Sequence, residues 1–589
     1  MLALAVMLAA ASPALSAPAE TIVVTGAVPS AQRVPAQLTP SQRSGYVAVF
    51  AALRAGRWAD AKARLDGMED GPLHPAALAE LYLSTGAPST SAEAIAALLQ
   101  RAPELPEGGR LAAIARKRGV TDLPAIPEPR ALSGFAGAPR REAARSVTGD
   151  AAGAQALQQI RPLLKDDRPA EAEALLAGRS GIGDAALTEL RQRIGWSYLL
   201  NGDDAAALRL SRVARGGSGE WVVPAAWSEG LAAWRMGDCA AAGDAFSFAA
   251  GRGGDAETMS AGLFWAARAD MACGRADRVQ ARLRSAARLG ETFYGLLARH
   301  LLGMSLPAAE TKPDFIRADF TTVADRPNIR TAAALVEIGE LGLADQFLRH
   351  QARIGTDQDH AALLRVAARL NLPATQIWLA HNGPSGSRPD AAARYPAPNW
   401  LPEGGWRVDR ALVFAHALQE SAFRTDAVSR AGARGLMQVL PTTVQLMAKR
   451  RGTAMAGDLA DPVFNMECGQ TYLEQLRDGS ATGGLLPKVI AAYNAGPGAI
   501  ARWNAGARDE SDPLMFIETI PYAETRGYVT LVLRNYWMYQ AQAETASPSL
   551  DAIAQGMWPR FPGLPGATAV RRQGAGAFAS NAAPAAGAP

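Results

Sequence analysis

Apolar residues recur along most of this chain at helical spacing, and glycines interrupt them at regular places. VAVFAALRAG followed by RWADAKARLDGM reads as helix, glycine turn, helix, and PAALAELYLSTG with SAEAIAALLQRA reads as a second hairpin. A stretch rich in Pro, Gly and Ala, residues 119–150, then reads as a loop or an extended strap. Beyond it Gly202-Asp203-Asp204-Ala205, Gly237-Asp238-Cys239-Ala240 and Gly274-Arg275-Ala276-Asp277 recur at spacings of 35 and 37 residues. Each follows an amphipathic segment and precedes an Ala-rich one. A period in the mid-thirties with a glycine turn between two helices is that of TPR-like stacking. One such hairpin cannot bury its apolar face alone, so the repeats must stack into a solenoid. Trp196, Trp227, Trp234 and Trp265 fall in these repeats and read as packing anchors.

The pattern divides the chain. Residues 1–17 are an apolar leader, 18–40 a linker, and 41–310 a superhelical TPR-like domain. Residues 311–396 continue the helical pattern without the repeat, as a helical linker domain, and 397–545 form a compact domain. Residues 546–589, rich in Ala, Gly and Pro, are expected to be disordered. The expectation for the whole is an all-α chain: a TPR-like α-superhelix followed by a second α domain.

Composition adds limits. The 589 residues are 48% hydrophobic and 20% charged, with a net charge of +4. No dense basic block with interleaved aromatics occurs, so nucleic acid is not an expected partner. The leader MLALAVMLAAASPALSA has no charged side chain, is too short to span a bilayer and ends in small residues. It reads as a secretory signal peptide without the usual basic start, which predicts export and no integral membrane segment after cleavage. Cys239 and Cys273 are read first as small core residues, with a disulfide the less favoured reading. The six histidines are dispersed, so neither a catalytic metal nor any cofactor is expected.

The chemistry concentrates in 397–545. VDRALVFAHALQES, from Val408 to Ser421, places Val408, Ala411, Leu412, Ala415 and Leu418 on one stripe and Val413, Phe414 and Ala417 on a second. A helix apolar on most of its circumference is buried. Glu420 sits near its C-terminal end, where lost hydration and the helix dipole both favour the protonated form. A carboxylic acid neutral near pH 7 is what protonation of a glycosidic oxygen needs. His416, one turn earlier, reads as a satisfied core histidine. Three islands follow: Gly432 to Thr443 with Gly435-Leu436-Met437-Gln438, Ala491 to Gly498 with Tyr493-Asn494, and Phe516 to Val529, where Glu524 and Tyr528 share a helix face. Amides, tyrosines and carboxylates around a groove suit an amide-bearing sugar. An ordinary glycosidase needs a second carboxylate, and Asp426, Glu518 and Glu524 are the candidates.

Glu420-Ser421, Gly435-Leu436-Met437-Gln438, Ala492-Tyr493-Asn494-Ala495-Gly496-Pro497-Gly498 and Ile517-Glu518-Thr519-Ile520-Pro521 with Glu524-Thr525-Arg526-Gly527-Tyr528-Val529, in this order, resemble the soluble lytic transglycosylase family. Phe293-Tyr294-Gly295-Leu296-Leu297-Ala298 and Arg394-Tyr395-Pro396 resemble its upstream segments more weakly. The resemblance implies a lysozyme-like α catalytic domain over 397–545. It implies cleavage of peptidoglycan between N-acetylmuramic acid and N-acetylglucosamine with formation of a 1,6-anhydro end. Glu420 would be general acid and then base. Ser421 would orient substrate, Met437 and Gln438 would line the groove, Tyr493 and Asn494 would contact sugars, Tyr528 would bond near Glu420, and Glu524 would shape the site. Glycan strands are the implied partner, cell-wall synthesis proteins are further candidate partners, and the periplasm is the implied location. A hydrolytic muramidase of the same fold and a glycan-binding scaffold without activity stay open as alternatives.

Overall fold

In the computed structural model, residues 34–135, 137–310, 320–386, 391–452, 454–506 and 511–572 are described. The expected signal peptide 1–17, most of the linker 18–40 and the end of the tail, 573–589, lie outside them. The regular secondary structure of the described residues is helical, apart from two short antiparallel ribbons and a few isolated bridges.

The glycine repeat is a stack of helical hairpins. Asp184–Leu200 pairs with Asp204–Arg215, Val222–Arg235 with Cys239–Arg252, and Ala256–Ala272 with Ala276–Ala287. Gly202, Gly237 and Gly274 make the turns with φ of 79°, 80° and 71°, a region closed to most side chains. Asp203 and Asp238 then cap the returning helices by accepting from Ala206 N and Ala241 N. The stack extends one period upstream, where Ala151–Lys165 and Pro169–Ala177 turn at Asp167, φ 55°. The glycine pattern missed that copy because Asp also tolerates the left-handed region. The segment read as lacking the repeat likewise holds two hairpins, turning at Gly339 (φ 81°) and Asn371 (φ 58°).

Cys239 and Cys273 form a disulfide, against the first reading of both as core thiols. Cys239 starts one returning helix and Cys273 caps the next outgoing one. Stacking one hairpin on the next brings these ends together, with Cα atoms 5.6 Å apart.

The expected unit 41–310 is divided between two cores. One core joins Leu38–Ala115 to Val323–Ala393, and the other joins Ala156–Ala308 to Tyr395–Phe561. The chain thus returns to its beginning before it enters the last domain. Ion pairs Arg43–Glu337 (2.6 Å) and Arg54–Glu340 (2.7 Å) mark that return. Alternating helical pattern identifies faces but not which distant face covers them, so the partition was invisible in the sequence.

Residues 119–150 are the strap that joins these bodies. Ser133–Gly134 pairs with Asn382–Gly383, Pro139 O accepts from Arg534 Nη1 at 2.7 Å, and Arg145 O accepts from Trp221 Nε1 at 2.8 Å. The tail expected to be disordered is ordered as far as 572. It forms the helix Pro548–Ala554 and a ribbon of Trp558–Pro559 with Ala569–Val570. Trp558 and Phe561 are fully buried, and Phe561 N donates to Gly484 O at 2.8 Å. The Ala, Gly and Pro content concealed these few anchors, each of which removes a large apolar side chain from water.

Candidate active site

The helix Arg410–Ser421 begins at Asp409, whose side chain accepts from Ala411 N and from Tyr536 Oη. Leu412, Val413, Phe414, Ala415 and Ala417 are buried, as the two-face pattern required. The helix stops one residue after Glu420. Ala422 and Phe423 both take left-handed backbone, φ 50° and 61°. Two consecutive non-glycine residues there are costly, and such strain gathers at functional sites.

Glu420 is half-buried. Tyr528 Oη, on the helix Ala523–Gln542, donates to Glu420 Oε1 at 2.6 Å. Burial pushes the Glu420 carboxyl up to about 7, the Tyr528 hydrogen bond opposes the rise, and the negative charge of Glu524 adds to it. The acid is thus poised to be neutral or charged near neutral pH. Tyr528 itself is buried and pushed well above the usual phenol range by burial and by the charge of Glu420, so it stays a donor.

Behind Tyr528 lies His416, fully buried, with Nδ1 2.8 Å from Tyr528 Oη. Burial pushes its pKa down to about 3, so the ring is neutral at physiological pH. It packs on Tyr493 with ring centroids 4.6 Å apart. Tyr493 Oη donates to Met437 O at 2.8 Å, and Asn494 Oδ1 accepts from Thr525 Oγ1 at 2.6 Å. Tyr493 and Asn494 therefore tie the helix Leu486–Ala495 to the two other motifs around Glu420.

Two residues expected at the substrate lie in the packing beneath the Gly-Leu-Met-Gln loop. Ser421 is buried, and its hydroxyl donates to Leu436 O at 2.8 Å, fixing the Gly-Leu-Met-Gln loop against the Glu420 helix. The Met437 side chain is fully buried against Gly469, so it is core and not groove lining. Gln438 is half-buried with φ 47°, and its amide donates to Ala427 O and Gly435 O, holding the loop's turn. Gly435 is obligatory: φ is 73°, and a Cβ there would lie 2.1 Å from Leu459 O. Asn465, which sequence reasoning passed over, supports this loop from below. It accepts from Met437 N and donates to Arg434 O and Leu459 O. Nothing local distinguishes it from an ordinary buried asparagine.

Of the three candidate second carboxylates, Glu518 is fully committed elsewhere. It accepts from Arg141 on the strap (2.8 Å), from Tyr294 (2.6 Å) and from Trp227 (3.2 Å). Burial would raise its carboxyl, but the charge and hydrogen bonds of Arg141 hold it below the usual range. Asp426 is exposed. Glu524 is exposed and acts on Glu420 as a like charge, one helical turn before Tyr528. Among the described residues no group of three or more His, Cys, Asp or Glu could hold a metal ion, and no helix is long and apolar enough to cross a membrane.

Residues 402–516 match the transglycosylase SLT domain. The soluble lytic murein transglycosylase of Escherichia coli strain K12 is 36% identical over 132 residues, which cover 22% of this chain and 20% of that protein. The chain thus matches about a fifth of that relative's length in sequence. In structure the similarity runs further. The 70 kDa soluble lytic transglycosylase of Escherichia coli superposes with a TM-score of 0.55 at 16% identity, covering 88% of this chain and 99% of that one. An inactive mutant of lytic transglycosylase Slt from Pseudomonas aeruginosa gives a TM-score of 0.51 at 22% identity, covering 86% and 81%. Over residues 402–516 the chain is thus similar to the transglycosylase SLT domain family, and over most of its length it shares the fold of these solved lytic transglycosylases.

Proposed function

We propose that this protein is an exported lytic transglycosylase of peptidoglycan, with Glu420 as its acid and then its base. The neutral Glu420 protonates the oxygen between N-acetylmuramic acid and N-acetylglucosamine, and that bond breaks through an oxocarbenium-like state. The carboxylate so formed accepts the Tyr528 hydrogen bond, then removes the proton from the C6 hydroxyl of the same muramyl unit. That oxygen attacks C1 and closes a 1,6-anhydro ring. The proton returns to Glu420, and no water is consumed.

The observation that carries this reading is the isolation of Glu420. Its pKa of about 7 lets one group serve both half-reactions, and among the described residues the one carboxylate whose charge acts on it, Glu524, is a like charge that raises it and is exposed. A hydrolase would need a committed base on the far side of the sugar. The Cys239–Cys273 disulfide supports folding in an oxidising compartment such as the periplasm. Gln438, Tyr493 and Asn494 act in this reading by holding the groove wall rather than by reacting.

Digestion of purified sacculi, with the released muropeptides weighed, tests it. Wild type is expected to give anhydro-muramyl ends, and Glu420→Gln none. Reducing ends would make the enzyme a muramidase, and no release by wild type would leave a glycan-binding scaffold.

A further inference from the structure

His416 has one feature that a satisfied core histidine lacks. Its Nδ1 meets Tyr528 Oη at 2.8 Å, but its buried Nε2 has no hydrogen-bond partner among the described residues. The ring is enclosed by Tyr493 from the helix Leu486–Ala495 and by Tyr528 from the helix Ala523–Gln542, with Tyr472 behind Tyr493. A neutral imidazole carries a proton on one nitrogen only. A buried N–H without an acceptor is rarer and costlier than a bare lone pair. The orphaned Nε2 therefore carries the lone pair, and the proton sits on Nδ1. Tyr528 has a single hydroxyl proton and two neighbours, His416 Nδ1 and Glu420 Oε1. With Nδ1 already a donor, that proton goes to Glu420.

We infer that His416 is a positioning residue which, as the Nδ1–H tautomer, directs the Tyr528 hydroxyl proton onto Glu420 Oε1 and so reserves Glu420 Oε2 for the proton delivered to substrate. The inference rests on the catalytic reading of Glu420 given above. Oε1 accepts from Tyr528 in both protonation states of the carboxyl. When Glu420 is neutral its own proton resides on Oε2, and when it is charged the His416–Tyr528–Glu420 chain donates toward the negative oxygen. Chains of this kind polarise each other, so each bond is strengthened by the one behind it. The proton and its acceptor are thereby assigned to different oxygens without rotation of the carboxyl.

The tautomer is read directly from the full-length protein labelled with 15N-histidine, using two-bond nitrogen–proton correlations, with His416→Asn assigning the signal. A neutral ring protonated at Nδ1 is expected from pH 5 to 8. A ring protonated at Nε2, or an imidazolium, overturns the inference whatever the enzyme's activity. The kinetic arm uses solubilised glycan strands. His416→Leu is expected to lower kcat about fivefold to tenfold with KM unchanged. His416→Asn, which keeps an N–H donor near the Nδ1 position, recovers most of it. In a Tyr528→Phe background His416→Leu costs nothing further, because its route to Glu420 is already cut. Equal losses in both backgrounds would show a packing role only and overturn the inference. Should His416→Leu fail to fold, the tautomer measurement on the wild type still decides.

Discussion

Tyr528 donates to Glu420 across 2.6 Å from a helix 108 residues further along the chain. This bond favours the charged carboxyl, whereas burial and Glu524 favour the neutral one. The balance sets Glu420 at about 7, and most of what can be tested turns on that balance.

In the proposed mechanism the first step needs Glu420 protonated, so kcat/KM should fall on the alkaline side with an apparent pKa of about 7. Tyr528→Phe removes a bond made to the charged form, so the limb should move to higher pH. The same substitution should lower kcat about tenfold to a hundredfold, the worth of one charge-assisted hydrogen bond. A pH–rate profile of both proteins checks direction and size. An unmoved limb would mean that another group is titrating.

Glu420 binds its proton more tightly when folded than when unfolded. From its ordinary value near 4.5 up to about 7 the folded state therefore holds the extra proton, and stability falls as pH rises through that window. Glu257, buried and also pushed up to about 7 by burial, contributes in the same direction. Glu420→Gln removes one of these penalties. It should raise stability at pH 8 relative to wild type by about 1–2 kcal/mol, after allowing for partial exposure, and change little at pH 4. Thermal melts at both pH values test this.

Arg141 binds Glu518 from the strap and lies 4.5 Å over the Trp227 ring. Arg141→Ala leaves the buried Glu518 with Tyr294 and Trp227 as donors and only the charge of Arg526 to offset its own among the described residues. A loss of about 2–3 kcal/mol is expected, smaller than for a fully buried pair because Arg141 is partly exposed. Glu518→Gln in the same background should restore part of it, since the under-compensated charge is then gone. Denaturant melts of the single and double variants measure both effects.

The Cys239–Cys273 bridge closes a loop of 34 residues within the stack. Its removal by Cys239→Ala with Cys273→Ala should lower stability by about 3–4 kcal/mol. Adding a reductant should lower the melting temperature of the wild type and leave that of the double variant unchanged.

Much of this molecule is written locally. The glycines at 202, 237 and 274 announce their turns, because few other residues accept that backbone. The run from Val408 to Ser421 announces a buried helix with an acid at its end, and the order of the four motifs announces the domain. Other sites were legible in part. His416 stands one turn from Glu420, yet only the fold shows that it acts on Tyr528 and leaves a nitrogen unpaired. Met437 and Ser421 stand in the same motifs as the half-buried Gln438 and Glu420 but point into the core, and a motif does not record direction.

Helix periodicity, left-handed turns and a charge in an apolar run are properties of neighbouring residues, so the all-α class, the hairpin period and a carboxyl at the end of a buried helix could be read from the chain alone. Long-range packing fixed the pairing of the first helices with Val323–Ala393, the seat of Arg141 on Glu518, the Cys239–Cys273 bridge and the Tyr528 bond to Glu420. Each depends on which surfaces far apart in the chain cover one another, and a buried face carries no label for its partner.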